Sequence, residues 1–229
     1  MARFTRIQVA TKMAEAGMIP VFFNSDVETC KQVIAACYKG GARLFEFTNR
    51  GGYAHVIFEQ INQWTAREFP DMIMGTGSVI DAPTAILYAQ LESNFIVSPL
   101  LNEEMATVLN RRKILWAPGC GSVSEISKAE SLGAEIVKIF PGSQVGGPKF
   151  ISSVKGPMPW THIMPTGGVD ATEANLTEWF KAGVFCVGMG SQLLKSDLIK
   201  NKDFKKLEQI VHDTVLLVQR LRKLYPVKV

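Results

Sequence analysis

Lys138, Glu46 and Arg50 have the types and surroundings for carbonyl chemistry. Lys138 lies in Gly133-Ala-Glu-Ile-Val-Lys-Ile-Phe-Pro141, a β-rich run bounded by Gly133 and the turn pair Pro141-Gly142. Alternate residues of a strand share a face, so Ile136, Lys138 and Phe140 point one way. Apolar neighbours exclude water from the ammonium and lower its pKa. An ordinary lysine, with a pKa near 10.4, is only about 0.04% neutral at pH 7, whereas a pKa of about 7 leaves half of it neutral; the difference is roughly 4.6 kcal/mol. A neutral amine attacks a ketone and forms a Schiff base. The competing reading of the stretch is a lysine snorkelling from a strand end into solvent.

In Arg43-Leu-Phe-Glu-Phe-Thr48 the parity separates two sets: Leu44, Glu46 and Thr48, continuing to Arg50, and Phe45 with Phe47. With the phenylalanines toward a layer of helices, Glu46 and Thr48 face inward. An inward carboxylate is costly unless it is paired or used. Two roles stay open for Glu46: a structural ion pair with Lys138 or Arg50, and a general acid/base that shuttles protons. Arg50 can hold a planar carboxylate through two parallel hydrogen bonds, and its charge helps depress the Lys138 pKa.

These residues need elements to carry them. Strands are read at 18–23, 43–48, 72–76, 95–97, 114–117, in the lysine run, at 162–164 and at 184–188. Between them fall helices at 5–16, from Ser25 or Asp26 to about Gly40, at 53–68, from Asp81 and Pro83, at 102–111, 122–132, 147–154 and 171–181. A last apolar stripe, from Phe204 through Val211 and Val218 to Leu221, makes 203–222 helical. Eight short strands alternating with helices indicate a parallel sheet, and the regularity favours one (β/α)₈ TIM-barrel domain over residues 1–229, with an N-terminal helix and an additional C-terminal helix. No Gly-x-Gly-x-x-Gly follows the first strand, which argues against a dinucleotide domain.

In such barrels the chemistry gathers at the C-terminal strand ends. There stand Gly75-Thr-Gly-Ser78, Ser98-Pro99 and Pro118-Gly119, each readable as ordinary turn chemistry and together forming small, polar loop mouths. The last two strands end in Pro165-Thr-Gly-Gly168 and Gly188-Met-Gly-Ser191. Glycine-rich loops after strands seven and eight let backbone N–H groups approach a phosphate, and the Ser191 hydroxyl adds a donor near an expected helix start.

Composition sets the outer limits. The net charge of +4 over 229 residues is mild, and the basic residues are scattered, which reads as solvated helix faces and not as a nucleic-acid surface. Cys30, Cys37, Cys120 and Cys186 form no Cys-x-x-Cys pair, and His55, His162 and His212 have no metal-ligand spacing. His162, at the start of the seventh strand, is expected at the end of the barrel away from the site. There is no apolar run of signal-peptide or membrane-spanning length, so a cytoplasmic protein without a membrane partner is expected.

The set Glu46-Phe-Thr-Asn-Arg50, Gly75-Thr-Gly-Ser78, Ser98-Pro99, Pro118-Gly119, Lys138-Ile-Phe-Pro141, Pro165-Thr-Gly-Gly168 and Gly190-Ser191 resembles, in order and spacing, the 2-keto-3-deoxy-6-phosphogluconate (KDPG) and 4-hydroxy-2-oxoglutarate (KHG) aldolase family over roughly residues 18–194. The resemblance implies a homotrimeric class I aldolase barrel that needs no metal or other cofactor and takes a small keto acid, phosphorylated in the leading reading. It implies Lys138 as the Schiff-base lysine and Glu46 as the acid/base. Arg50, helped by Ser78, would hold the pyruvyl carboxylate, Phe140 and Pro99 would line the pocket with Thr48 beside them, and Gly167, Gly168, Gly190 and Ser191 would receive the phosphate. Departures are Ser78 where threonine is common, the loop Gly142-Ser-Gln-Val-Gly-Gly147, Gln192 in place of a more usual tryptophan, and a longer tail after about residue 195. Alternatives are KHG or the galactonate-series substrate, a barrel isomerase or synthase that makes no imine, and a silent sugar-phosphate-binding protein.

Overall fold

Strand parity decides which side chains see the middle of the molecule. In the computed structural model, which describes residues 2–227, Leu44 packs with Ile19, Ile73, Phe95 and Ile136 in an inner core, while Phe45 and Phe47 join the outer core against the helices. The inward direction of Glu46 follows from this alternation. Residues 1, 228 and 229 of the expected domain lie outside the described range.

The chain alternates β1 (Met18–Phe22), β2 (Leu44–Thr48), β3 (Ile73–Gly77), β4 (Phe95–Val97), β5 (Leu115–Ala117), β6 (Gly119–Cys120), β7 (Val137–Ile139), β8 (Ile163–Pro165) and β9 (Val187–Met189) with helices. All pairings are parallel, in the orders β5-β4-β3-β2-β1-β9 and β6-β7-β8. The two sheets meet at two seams. Between β5 and β6 stands Pro118, which has no N–H to give a ladder; the expected fifth strand is β5, and β6 is a short continuation beyond it. Between β8 and β9 the Phe185 N–H donates to the Ile163 carbonyl (2.8 Å), and Thr166 bridges Gly188. Counting β5 and β6 as one interrupted strand, the architecture is the expected (β/α)₈ barrel.

The helices are α1 (Arg6–Ala16), α2 (Val27–Lys39), α3 (Ala54–Glu68), α4 (Ala82–Gln90), α5 (Glu103–Arg112), α6 (Val123–Ser131), α7 (Gly147–Lys155), α8 (Glu173–Lys181), α9 (Ser196–Lys200) and α10 (Phe204–Leu224). Local chemistry sets many of their starts. The Thr5 hydroxyl and Gln8 form a capping box on α1, and the carboxylates of Asp26 and Asp81 accept the N–H groups of Thr29 and Thr84. Of the two caps proposed for α2, Asp26 is the one used. Val9 and Met13 of α1 enter the inner core beside the strand starts, so α1 closes the N-terminal floor. The expected C-terminal helix is α10, whose buried stripe Leu207, Val211, Val215, Val218 and Leu221 packs mainly on α2 and α8. At roughly 1.5–3 kcal/mol for each fully buried aliphatic side chain, that stripe is ample to hold the helix on the barrel.

Candidate active site

Backbone pairing locks the two central residues before any side chain acts. Lys138 sits in β7 between Gly119 of β6 and Met164 of β8, and its N–H donates to the Pro118 carbonyl at 2.8 Å. Glu46 sits in β2 between Val21 of β1 and Gly75 of β3. Both side chains are buried, Lys138 at 5% exposure and Glu46 at 1%. This excludes the snorkelling alternative for the lysine.

The room for Glu46 comes from β3. A Cβ on Gly77 would stand 1.8 Å from the Glu46 Oε1, and a Cβ on Gly75 would stand 2.3 Å from the Phe95 ring. Gly75 and Gly77 are therefore strand-interior residues that clear space across the barrel, where turn chemistry was the expectation; β3 continues through Gly77. Ser78 is the residue that turns, with φ 59°.

Neither central group is satisfied by the protein. Glu46 Oε2 is buried without a hydrogen-bond partner. Among the described residues the Lys138 amine forms no ion pair or hydrogen bond, and it lies over the Phe140 ring, 4.7 Å from the centroid. The alternative of a Glu46 structural ion pair is thus not realised with Lys138 or with Arg50. Burial pushes the Glu46 carboxyl above its ordinary range, against the opposing pull of Lys138 and Arg50. Burial likewise pushes Lys138 below the ordinary lysine range; the Glu46 charge opposes this and the Arg50 charge adds to it. Burial thus works against both charges, easing proton loss from the amine and proton uptake by the carboxyl, which is the direction a nucleophile and a proton source require.

Thr48 lies two residues beyond Glu46 on the same face of β2, about 6.6 Å nearer the mouth at roughly 3.3 Å per residue, and Phe140 is the first residue past β7. Both line a cavity of about 560 Å³, so Glu46 and Lys138 lie beneath its wall. Arg50 reaches the same cavity from beyond β2, and Gly167, Gly168, Gly190 and Ser191 reach it from beyond β8 and β9. The glycine pair after β8 has φ of 93° and 78°, a conformation that a side chain would strain. One expectation is corrected. Ser191 does not open a helix: it lies in a turn where the N–H groups of Leu193 and Leu194 both donate to the Gly190 carbonyl (3.0 and 2.9 Å), and the next helix, α9, begins at Ser196. Its hydroxyl is exposed on the cavity wall.

Ser78 and Pro99 are half-buried just past the ends of β3 and β4, but they are not part of this cavity wall. Sequence reasoning missed other lining residues: Phe22 at the end of β1, Asn24 beyond it, Thr166, and Ser196 and Lys200 of α9. Only Thr166 had a local signal, its place in the glycine-rich motif. The ring of His162 packs on Phe185 (4.4 Å) before β8, at the floor as expected. Among the described residues no cluster of histidine, cysteine, aspartate or glutamate is arranged to hold a metal.

Comparison with known proteins agrees with this geometry. The family model described as "Aldolase: KDPG and KHG aldolase" matches residues 9–210. The chain belongs to the KDPG and KHG aldolase family. It is 29% identical over 203 residues to the 2-dehydro-3-deoxy-phosphogluconate aldolase of Pseudoalteromonas atlantica, covering 88% of this chain and 91% of that one. It is 27% identical to the KHG/KDPG aldolase of Escherichia coli K12, covering 86% and 90%. Among solved structures it is similar to KDPG aldolase from Legionella pneumophila with pyruvate captured at low pH as a covalent carbinolamine, with a TM-score of 0.82, 26% identity, and coverage of 90% of this chain and 98% of that one. As a member of this aldolase family the chain is a carbon–carbon lyase.

Proposed function

We propose that this aldolase cleaves KDPG to pyruvate and glyceraldehyde 3-phosphate through a Schiff base on Lys138. The observation that carries the proposal is the buried amine–carboxyl pair beneath a cavity whose wall holds cations and glycine-rich loops.

The neutral Lys138 amine attacks the C2 ketone and gives a carbinolamine. Glu46, whose carboxyl burial holds above its ordinary range, gives a proton to the departing hydroxyl, and water leaves. The resulting iminium cation stands where the ammonium was disfavoured, and its charge holds Glu46 as a carboxylate. That carboxylate takes the C4 hydroxyl proton as the C3–C4 bond breaks and its electrons flow into the iminium. Glu46 then returns the proton to C3 of the enamine, and water hydrolyses the imine to release pyruvate. Arg50 holds the pyruvyl carboxylate, helped by Ser78 from the end of β3, Phe140 forms an apolar wall beside Thr48, Pro99 contributes from the end of β4 outside that wall, and Gly167, Gly168, Gly190 and Ser191 receive the phosphate. No metal enters any step. We include in the proposal a homotrimer acting in the cytoplasm; a solution mass near three times the 25.2 kDa chain supports the trimer, and a mass near one chain rejects it.

Pyruvate release from KDPG, from its galactonate epimer and from KHG, assayed side by side, tests the substrate. The expected result is the highest kcat/KM with KDPG. A higher kcat/KM with KHG would overturn the phosphorylated-substrate reading and keep the aldolase chemistry.

A further inference from the structure

Two of the residues lining the site cavity carry charge, Arg50 and Lys200, and both are cationic; no carboxylate lies on that wall. Arg50 follows β2 and Lys200 follows β9, and the sheet order β2-β1-β9 puts them on either side of the end of β1. Arg50 is committed to the carboxylate next to the reacting ketone, which leaves one cation for a second anion.

Lys200 is held there by local structure. Leu198 and Ile199 pack half-buried against the outer core. The turn out of α9 is closed by N–H groups of Asn201, Lys202 and Asp203 donating to the carbonyls of Asp197 (2.9 Å), Ile199 (3.1 Å) and Leu198 (2.8 Å), with Lys202 in the left-handed region at φ 55°. Asp203 then caps α10 through the Lys206 N–H. The C-terminal helix thus anchors the segment that presents Lys200. Among the described residues Lys200 makes no ion pair, so its charge faces solvent and cavity without a protein anion.

We propose that Lys200 binds the distal anion of the substrate and sets a preference for phosphorylated over unphosphorylated keto acids. The inference rests on the aldolase reading above and adds a side-chain cation to the backbone groups of the glycine-rich loops. An exposed lysine gives a weaker contact than a buried arginine fork, so the effect is moderate and falls with salt.

Full-length wild type, Lys200→Met and Lys200→Arg are compared with KDPG and with its dephosphorylated counterpart, 2-keto-3-deoxygluconate. Lys200→Met raises KM for KDPG about five- to tenfold, without a matching rise for the dephosphorylated acid, and Lys200→Arg restores most of the loss. An unchanged KM for KDPG, or an equal rise with both substrates, overturns the proposal. Borohydride trapping of pyruvate on the wild type is run in parallel. If the wild type neither traps pyruvate nor cleaves either acid, the aldolase reading fails, and Lys200 is judged by calorimetry with inorganic phosphate at low ionic strength. Binding weakened severalfold in Lys200→Met supports the distal-anion role; equal binding, or none to the wild type, rejects it.

Discussion

A cation is taken from water near each end of this barrel, and the two are treated differently. At the floor, Arg222 of α10 donates to the carbonyls of Val184 (3.2 Å), Phe185 and Tyr225 (3.5 Å) and lies 4.8 Å from the centroid of the Phe180 ring. Toward the mouth, Lys138 is more deeply buried and has an aromatic face but no hydrogen-bond acceptor. Carbonyls keep a guanidinium charged and in place. An amine denied acceptors loses its proton more easily and keeps a lone pair available. The floor arrangement serves stability, and the one above it keeps a reactive group, which matches the division of labour between the two faces of such barrels.

The contrast breaks first if Glu46 proves passive. Glu46→Gln keeps the shape and removes the titrating oxygen, and kcat falls about 10²- to 10⁴-fold with a smaller change in KM. A variant within twofold of wild type in kcat would return Glu46 to a structural role.

Stability sharpens the comparison with an effect of a few kcal/mol. Arg222→Met loses charge-assisted hydrogen bonds to fixed carbonyls and destabilises the protein by about 2–4 kcal/mol, with kcat unchanged. The double variant Lys138→Met with Glu46→Gln removes both disfavoured charges and stabilises by about 1–3 kcal/mol while abolishing turnover. Urea unfolding of the two variants measures both signs. A double variant less stable than wild type would mean that the pair holds the fold together.

The smallest effect is on pH. The reactive species is the free amine, so the rate of pyruvate trapping rises with pH through the Lys138 pKa. The Glu46 charge raises that pKa and the Arg50 charge lowers it. Glu46→Gln therefore moves the rising limb to lower pH, and Arg50→Met, read at saturating pyruvate, moves it to higher pH. Limbs that stay in place would show that the three groups do not share a field.

Much of this was legible in the chain because strand alternation is local. Leu44 through Thr48 alone give the inward carboxylate, and Ile136, Lys138 and Phe140 give its partner face. The misreadings have tertiary causes. Gly75 and Gly77 read as turn residues because the groups they make room for, Phe95 and Glu46, belong to neighbouring strands. α9 has five residues and none fully buried, too short and too exposed to show a helical period. For that reason the chain at Ser191 reads as a helix start it lacks, and Lys200 carries no local signal. Asn24 and Lys200, more than 170 residues apart, share a cavity only because β1 pairs with β9.

The central claim is that Lys138 is the amine that carries the substrate. Borohydride reduction of the wild-type protein in the presence of pyruvate, followed by peptide mass spectrometry, tests it directly. A reduced pyruvyl adduct on Lys138, absent without pyruvate, is the predicted result. An adduct on another lysine, or none in folded protein under conditions that label a known class I aldolase, would contradict the account.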